Sequence, residues 1–187
     1  MSDWRIKHDN VIQEFLHELN QDSDSFVLKG DTALKQCYGL DRFSEGIALD
    51  SINGNIIPFA MNFCQKHHYE LKITKDTKTV KRCFIKYNDT ENQLKVEVSY
   101  RRRNIPQNEI TKVNGITVYS IDRIAQMKAT AYSARDKIRD LYDISFICNK
   151  YFDSLSPATK SFLCDSLSQK GLEKFDLSGK NAKRPTD

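Results

Sequence analysis

Hydrophobic and polar residues follow two different periods along the first fifty positions, and they predict alternating helices and strands. Apolar residues recur at helical spacing within residues 4–19, at Val11, Ile12, Phe15, Leu16 and Leu19. The short apolar segment "FVLKG" predicts a strand that ends at Gly30. The next segment, "DTALKQCYG", offers Asp31 or Thr32 as N-cap and Gly39 as its end, so it predicts a short helix.

The following seventy residues predict the rest of a mixed sheet. "GIALDS" (46–51) reads as a second strand, and residues 55–71 predict a helix with a proline near its start. Residues 83–87 and 94–100 predict a hairpin across "NDTENQ", because apolar and polar residues alternate in the second segment. "ITVYS" (116–120) predicts a last strand at the sheet edge. The expected fold class is α/β, a mixed β-sheet flanked by helices.

The character of the chain changes at Ser120, where helical spacing replaces strand alternation. An apolar stripe predicts a helix laid on a core, and its members are Ile124, Met127, Ala131, Ala134, Ile138 and Leu141. A polar stripe runs beside it, at Lys128, Tyr132, Arg135, Arg139 and Asp143. Another helix is expected after Pro157, whereas the last ten or so residues lack any apolar pattern. The domain prediction is therefore 1–119 for the α/β part and 120–187 for a C-terminal helical part.

The composition of the chain limits which cellular compartment and which class of binding partner are expected. The 187 residues are 39% hydrophobic, and no apolar run is long enough to cross a membrane. Five scattered cysteines without a C-x-x-C pair argue against a disulfide framework or a zinc site, so we expect a reducing cytoplasm. The net charge of +4 is concentrated in "KRCFIK", "YRRRN" and "GKNAKRP", which permits a polyanionic partner such as RNA.

A glycine turn that opens a helix is a weak indication of a phosphate site by itself, because any such turn presents backbone N–H groups to an anion. Two ordered blocks make the indication more specific. They are "LKGDTALKQCYGLDRFSEGIALD" (28–50) and "VYSIDRIAQMKATAYSARDKIRDLYDISFI" (118–147). Together they resemble the AbiEii-type family of abortive-infection type IV toxins, in the nucleotidyltransferase superfamily. The first block follows the family pattern G-G-T-A-L, a short helix, then R-x-S-x-D-I-D-L.

The resemblance implies a reaction, a metal and a set of residues. The family reaction is Mg²⁺-dependent transfer of a nucleotide from a nucleoside triphosphate to an acceptor such as RNA, and a cognate antitoxin protein is an implied partner. The family's metal-binding acids correspond to Gly46, Ala48 and Glu97. The implied nucleotide-binding residues are Gly30, Asp31, Thr32, Arg42, Ser44, Lys128, Arg139, Asp140 and Asp143.

This sequence departs from the family pattern where metal and triphosphate would bind. Gly46 and Ala48 replace both acids of the D-x-D, and Asp31 places a negative charge at the turn that receives the triphosphate. Asp50 keeps the same strand face, but it lies roughly 6.6 Å further along the strand. Because magnesium–oxygen distances are about 2.1 Å, Asp50 cannot replace the missing ligands across that displacement unless the strand has a bulge. Asp50 and Asp31 are the two candidate replacement ligands.

The departures leave three interpretations open. The chain is a toxin-like transferase whose catalysis is impaired, or it is a non-catalytic module with the same fold that binds nucleotide, RNA or a neutralising partner. In a third interpretation, the substitutions were introduced deliberately into a toxic protein. The preferred nucleotide, the acceptor, the oligomeric state and the completeness of the C-terminus stay open as well.

Overall fold

The structure is a computed structural model that describes residues 3–87 and 92–170. The chain divides into two compact units, Met1–Ser120 and Ile121–Asp187, which are described separately below. Most of the predicted hairpin turn "NDTENQ" and the whole basic tail "GKNAKRP" lie outside the described residues. Within the described residues, no helix combines the length and the hydrophobicity needed to span a membrane.

The first unit is a seven-stranded mixed sheet with three helices. Its elements are α1 (Asp3–Asp22), β1 (Phe26–Lys29), α2 (Gly30–Tyr38), β2 (Gly46–Ser51), α3 (Ile56–His67), β3 (Glu70–Asp76), β4 (Val80–Lys86), β5 (Gln93–Ser99), β6 (Ile110–Val113) and β7 (Ile116–Tyr119). The strand order is β3-β4-β5-β2-β1-β7-β6. The pairs β1–β7 and β2–β5 are parallel, and the other neighbours are antiparallel. The predicted α/β class is confirmed.

Two edge strands were missed by the sequence patterns. Strand β3 is exposed along nearly its whole length, so it lacks the alternation of buried and exposed residues that marks a strand. The helix predicted to reach residue 71 ends at His67, because His68 adopts the left-handed conformation that closes helix α3. Residues 116–120 were wrongly placed at the edge: β7 lies between β1 and β6, and β6 is the edge strand.

The core of this unit lies on one face of the sheet. The predicted alternation along β5 is confirmed, since Leu94, Val96 and Val98 are all buried. Helices α1 and α3 pack together there, with the rings of Phe15 and Phe63 5.0 Å apart. The opposite face carries polar residues. Gly46, Ala48, Asp50 and Glu97 lie on that face, whereas Asp31 does not.

A buried histidine on α1 makes the stability of this unit depend on pH. The His8 side chain lies 2.6 Å from the hydroxyl of Tyr87, and burial lowers the pKa of His8 below its usual value of 6.5. The folded state therefore binds fewer protons at His8 than the unfolded state does. Its contribution to stability is present above pH 6.5, and it is lost as the pH falls from 6.5 through the lower pKa of His8 in the folded state.

We expect urea unfolding curves between pH 7.5 and pH 5 to show this loss. The variant His8→Gln should have a flatter dependence of unfolding free energy on pH than the parent chain. The matched control is His17→Gln, which changes an exposed histidine of the same helix. Equal pH slopes in the two variants would contradict the assignment to His8.

The α-helices of the second unit among the described residues are α4 (Ile121–Ala134), α5 (Ile138–Tyr151) and α6 (Pro157–Ser168). The start of α6 at Pro157 was predicted correctly. Ser156 caps this helix by accepting a hydrogen bond from the Thr159 backbone N–H. The carboxylate of Asp122 on α4 also accepts hydrogen bonds from the Ser156 backbone N–H at 2.7 Å and from the Thr159 hydroxyl at 2.8 Å, which ties α4 to α6.

The predicted apolar stripe of this unit was wrong in its second half. Residues 135–137 are not helical, so the positions before and after them do not continue one stripe. Ile124 is buried as expected, but Ile138 is 43% exposed. The buried positions after Ile124 instead include Lys128, Tyr132 and Asp143, which sequence spacing placed on the polar stripe, and also Asp140.

Candidate functional site

The polar face of the sheet brings two of the predicted acid positions, Ala48 and Glu97, into one row across the strands. In this central row Lys29 lies opposite Ala48, Ala48 opposite Glu97, and Glu97 opposite Arg82. Lys75 of β3 completes it beside Arg82. Since neighbouring strands are about 4.8 Å apart, Glu97 stands in direct contact range of position 48. The sequence patterns alone did not show this register.

The glycine turn is held against strand β2 by a buried polar contact. Gly30 has a φ of +80°, which an L side chain adopts with strain, and α2 begins at this residue. The hydroxyl of Thr32 lies 2.6 Å from the hydroxyl of Ser44 and also donates to the carbonyl oxygen of Gly46. Both hydroxyl-bearing residues are buried, so Thr32 and Ser44 fix the turn relative to the site.

Asp31 is paired within the first unit. A guanidinium nitrogen of Arg42 lies 3.3 Å from the Asp31 carboxylate, and both side chains are partly exposed. The two predicted nucleotide-binding residues therefore contact each other. The ion pair offsets the negative charge that Asp31 brings to the turn.

Position 46 is closed to any side chain by the neighbouring strand. A Cβ atom built on Gly46 would lie 2.5 Å from the backbone carbonyl oxygen of Lys95, a distance that real Cβ atoms do not show. Position 48 already carries a methyl group and is partly exposed. Positions 46 and 48, where the resemblance expects acids, are thus not equivalent.

Asp50 lies on the same face but is locked into a hydrogen-bonded network. Its side chain accepts from the Lys29 ammonium at 2.5 Å and from the Tyr119 hydroxyl at 2.9 Å, and Asp50 is buried. Burial, together with the charge of Asp50, raises the pKa of Tyr119, so the hydroxyl keeps its proton and donates. Arg102 in turn donates to the Tyr119 oxygen at 3.2 Å.

Glu97 is also neutralised by a basic residue. The Arg82 Nε atom donates to the Glu97 carboxylate at 2.6 Å, directly across the antiparallel pair β4–β5. The side chain of Glu97 is 32% exposed, so this carboxylate is reachable from solvent. Its oxygens nevertheless face a guanidinium rather than another acid.

These residues do not fit a magnesium ion. Magnesium takes six oxygen ligands in near-octahedral geometry and is bound in such sites through one or two carboxylates plus substrate phosphates. Positions 46 and 48 supply no side-chain oxygen, and the Asp50 carboxylate is engaged by Lys29 and Tyr119. In residues 3–87 and 92–170, no group of three His, Cys, Asp or Glu side chains is placed to hold a metal.

The predicted residues of the second unit are engaged in ion pairs, apart from Arg139. The Lys128 ammonium lies 2.5 Å from the Asp143 carboxylate, and both residues are buried. The Asp140 carboxylate accepts two hydrogen bonds from the Arg135 guanidinium, at 2.6 and 2.8 Å. Arg139 is exposed.

Lys29 and Arg82 are the site residues that sequence reasoning missed. Lys29 ends strand β1 next to the glycine turn, and the alternation of "FVLK" already puts it on the face opposite Leu28. Arg82 belongs to the basic run "KRCFIK", which was read only as a concentration of charge. Their partners Asp50 and Glu97 are 21 and 15 residues away, so only the strand register reveals the pairs.

Three features of the first unit are typical of the nucleotidyltransferase fold. They are the mixed sheet, the glycine turn after β1 that opens helix α2, and the acid Glu97 on β5, the strand parallel to β2. The model of the nucleotidyl transferase AbiEii toxin family, from type IV toxin–antitoxin systems, matches residues 14–181. The chain belongs to the AbiEii nucleotidyltransferase toxin family. A search of the curated proteins gives no significant match.

Solved structures support the same assignment. JHP933 from Helicobacter pylori is similar with a TM-score of 0.75 and 28% sequence identity, over 88% of this chain and 75% of JHP933. A second H. pylori protein has a TM-score of 0.75 and 27% identity, over 90% of this chain and 79% of its own. The Megavirus polyadenylate synthase shares the fold alone, with a TM-score of 0.50 and 11% identity over 79% of this chain and 31% of its own.

Proposed function

We propose that this AbiEii-family protein binds a nucleoside triphosphate on the polar sheet face and does not transfer the nucleotide. The observation that carries the proposal is the pairing of Ala48 with Glu97. In a two-metal site, carboxylates hold ions that activate the attacking oxygen and stabilise the leaving group. Here a methyl group stands beside the remaining acid, and Glu97 is bound by Arg82.

The predicted nucleotide contacts of the first unit stay part of this proposal. Gly30 gives the backbone the conformation that lets the start of α2 approach a phosphate closely. Thr32 and Ser44 hold that turn in place, and Arg42 balances the charge of Asp31. The frame for a phosphate is therefore supported by contacts, even though the metal ligands are missing.

The predicted contacts of the second unit also stay proposals. Arg139 is accessible to a ligand as the structure stands. Lys128, Asp140 and Asp143 are already paired, so a nucleotide contact from any of them requires its ion pair to open. We further propose a cytoplasmic location, RNA as the acceptor in transferring relatives, and a cognate antitoxin as a protein partner, because the family belongs to type IV toxin–antitoxin systems.

The proposal is tested by incubating the unmodified chain with Mg²⁺, RNA and each labelled nucleoside triphosphate. We expect no label in RNA or in the protein, while equilibrium dialysis detects bound triphosphate. The comparison variant combines Asp31→Gly, Gly46→Asp and Ala48→Asp, and its folding is checked first because position 46 is crowded. Mg²⁺-dependent labelling by the unmodified chain would overturn the loss of transfer, and absence of triphosphate binding would overturn the binding function.

A further inference from the structure

The polar face of the sheet has the opposite charge to that of a metal-binding site. Three cross-strand rows form its centre: the central row, the row of Gly46, Lys95, Phe84 and Lys72, and the row of Val27, Asp50, Ser99 and Val80. Among these described residues the cationic side chains outnumber the carboxylates by five to two. The cations are Lys29, Lys72, Lys75, Arg82 and Lys95, and the acids are Asp50 and Glu97.

The excess positive charge is accessible. Lys72, Lys75 and Lys95 are exposed, and no carboxylate of the described residues pairs with any of them. Lys29 and Arg82 each neutralise one acid and still keep 27% and 38% of their side chains exposed. A guanidinium carries five N–H donors, so Arg82 retains donors beyond the Nε atom that contacts Glu97.

We propose that this face binds the phosphate groups of a nucleoside triphosphate directly through Lys29, Arg82 and Lys95, so that protein cations replace magnesium. The inference rests on the proposed function, because it assigns the contacts of the same nucleotide site. It adds that binding does not require a divalent cation and that magnesium weakens it.

The arrangement of the central row explains how cationic side chains can bind phosphate in place of magnesium. Lys29 and Glu97 flank Ala48 on the two neighbouring strands, and Arg82 lies one strand beyond Glu97. A phosphate over the Ala48 methyl group therefore has Lys29 on one side and the Glu97–Arg82 ion pair on the other, where the Arg82 guanidinium offsets the charge of Glu97. Lys95 is one row away, roughly 7 Å along the strand, on the same face. Lysine supplies a point charge and arginine a forked set of donors, and both recognise phosphate. A divalent ion at this position meets the same cations and is repelled.

A partly exposed aromatic ring favours a nucleotide over a free polyphosphate. Phe84 lies between Lys95 and Lys72 in the neighbouring row, with its side chain at intermediate exposure. Any of the nucleotide bases can stack on an aromatic side chain, and lysines beside the ring attract the phosphates. The rows thus place a base platform next to the phosphate-binding cations.

The test is calorimetric titration of the full chain with each nucleoside triphosphate, once in EDTA and once in excess Mg²⁺. We expect tighter binding in EDTA than in Mg²⁺, since magnesium offsets part of the charge of the triphosphate. The affinity should fall steeply as salt is raised, because the contacts are exposed ion pairs. Inorganic triphosphate should compete, but more weakly than the nucleotide.

Two variants identify the cations, and a third is the matched control. Lys95→Gln should weaken binding in EDTA by about tenfold or more, the usual effect of losing one charge-assisted hydrogen bond. Lys29→Met should also weaken binding in EDTA. This variant removes a partner of buried Asp50 as well, so if Lys29→Met does not fold, the result for Lys95→Gln decides the question. Lys112→Gln removes an exposed lysine from edge strand β6 at the other end of the sheet and should leave the affinity unchanged.

Each other outcome overturns a defined part of the account. Binding that needs Mg²⁺ overturns the inference and leaves the proposed nucleotide-binding function standing. Binding in EDTA that is unaffected by Lys95→Gln places the ligand elsewhere and also overturns the inference. Tight binding of single-stranded RNA oligonucleotides without binding of any triphosphate makes RNA the occupant. No binding of any triphosphate, with or without the metal, overturns the proposed function itself.

Discussion

Replacing Lys128 by methionine should lower the free energy of unfolding by about 1.5–3 kcal/mol, because it removes a charged hydrogen bond to the buried carboxylate of Asp143. Asp143 has no exposed surface, and the Lys128 ammonium lies 2.5 Å from its carboxylate. Removing one member of a buried ion pair is far more destabilising than removing an exposed charge. Urea unfolding followed by circular dichroism measures this loss.

The matched control is Arg139→Met, which removes an exposed cation from helix α5 of the same unit. Its effect should stay within about 0.5 kcal/mol. If Lys128→Met costs under about 1 kcal/mol while triphosphate binding falls, Lys128 is a ligand contact and its structural assignment is wrong.

The second large effect is expected at Gly46 and Ala48, which should respond differently to substitution. Gly46→Ala should destabilise the protein by about 1–3 kcal/mol, the usual range for forcing extra atoms into a packed site. The cause is the Lys95 carbonyl oxygen, 2.5 Å from where the new Cβ would lie. Thermal unfolding of the purified variant gives the loss directly.

Ala48→Ser is the companion variant at the neighbouring outward-facing position of the same strand. It adds one oxygen to an existing Cβ on the half-exposed polar face and should change stability by less than about 0.5 kcal/mol. Equal losses for Gly46→Ala and Ala48→Ser would show that strand β5 moves aside for position 46. The unequal result implies that restoring the first acid needs a shift of the backbone, whereas restoring the second does not.

The sequence predicted the frame of this fold well where one face of an element is buried. Strand β5 shows this, because Leu94, Val96 and Val98 alternate with polar residues and all three are buried. The sequence did not predict strand β3, because a mostly exposed edge strand needs no alternation of buried and exposed residues. The interruption at residues 135–137 was also invisible, since helical spacing across it looked continuous.

The candidate site was predicted as a set of positions, but its chemistry depends on pairing across strands. The sequence, read with the family resemblance, predicts that Gly46 and Ala48 occupy positions where the family pattern has acids. The ion pair between Lys29 and Asp50 could not be predicted, because it depends on which residues of β1 and β2 lie side by side. Likewise, Glu97 looked like an available ligand until its cross-strand partner Arg82 was known.

The central claim is that the polar face holds anions and no divalent metal, and a titration with Mn²⁺ as a paramagnetic substitute for Mg²⁺ tests it most directly. Electron paramagnetic resonance measures free Mn²⁺ as the unmodified chain is added, without and then with nucleoside triphosphate. We predict that the chain alone leaves the free-ion signal unchanged, and that in the mixture it binds none of the Mn²⁺ beyond what the nucleotide itself holds. A stoichiometric Mn²⁺ site that disappears in Glu97→Gln would contradict the account.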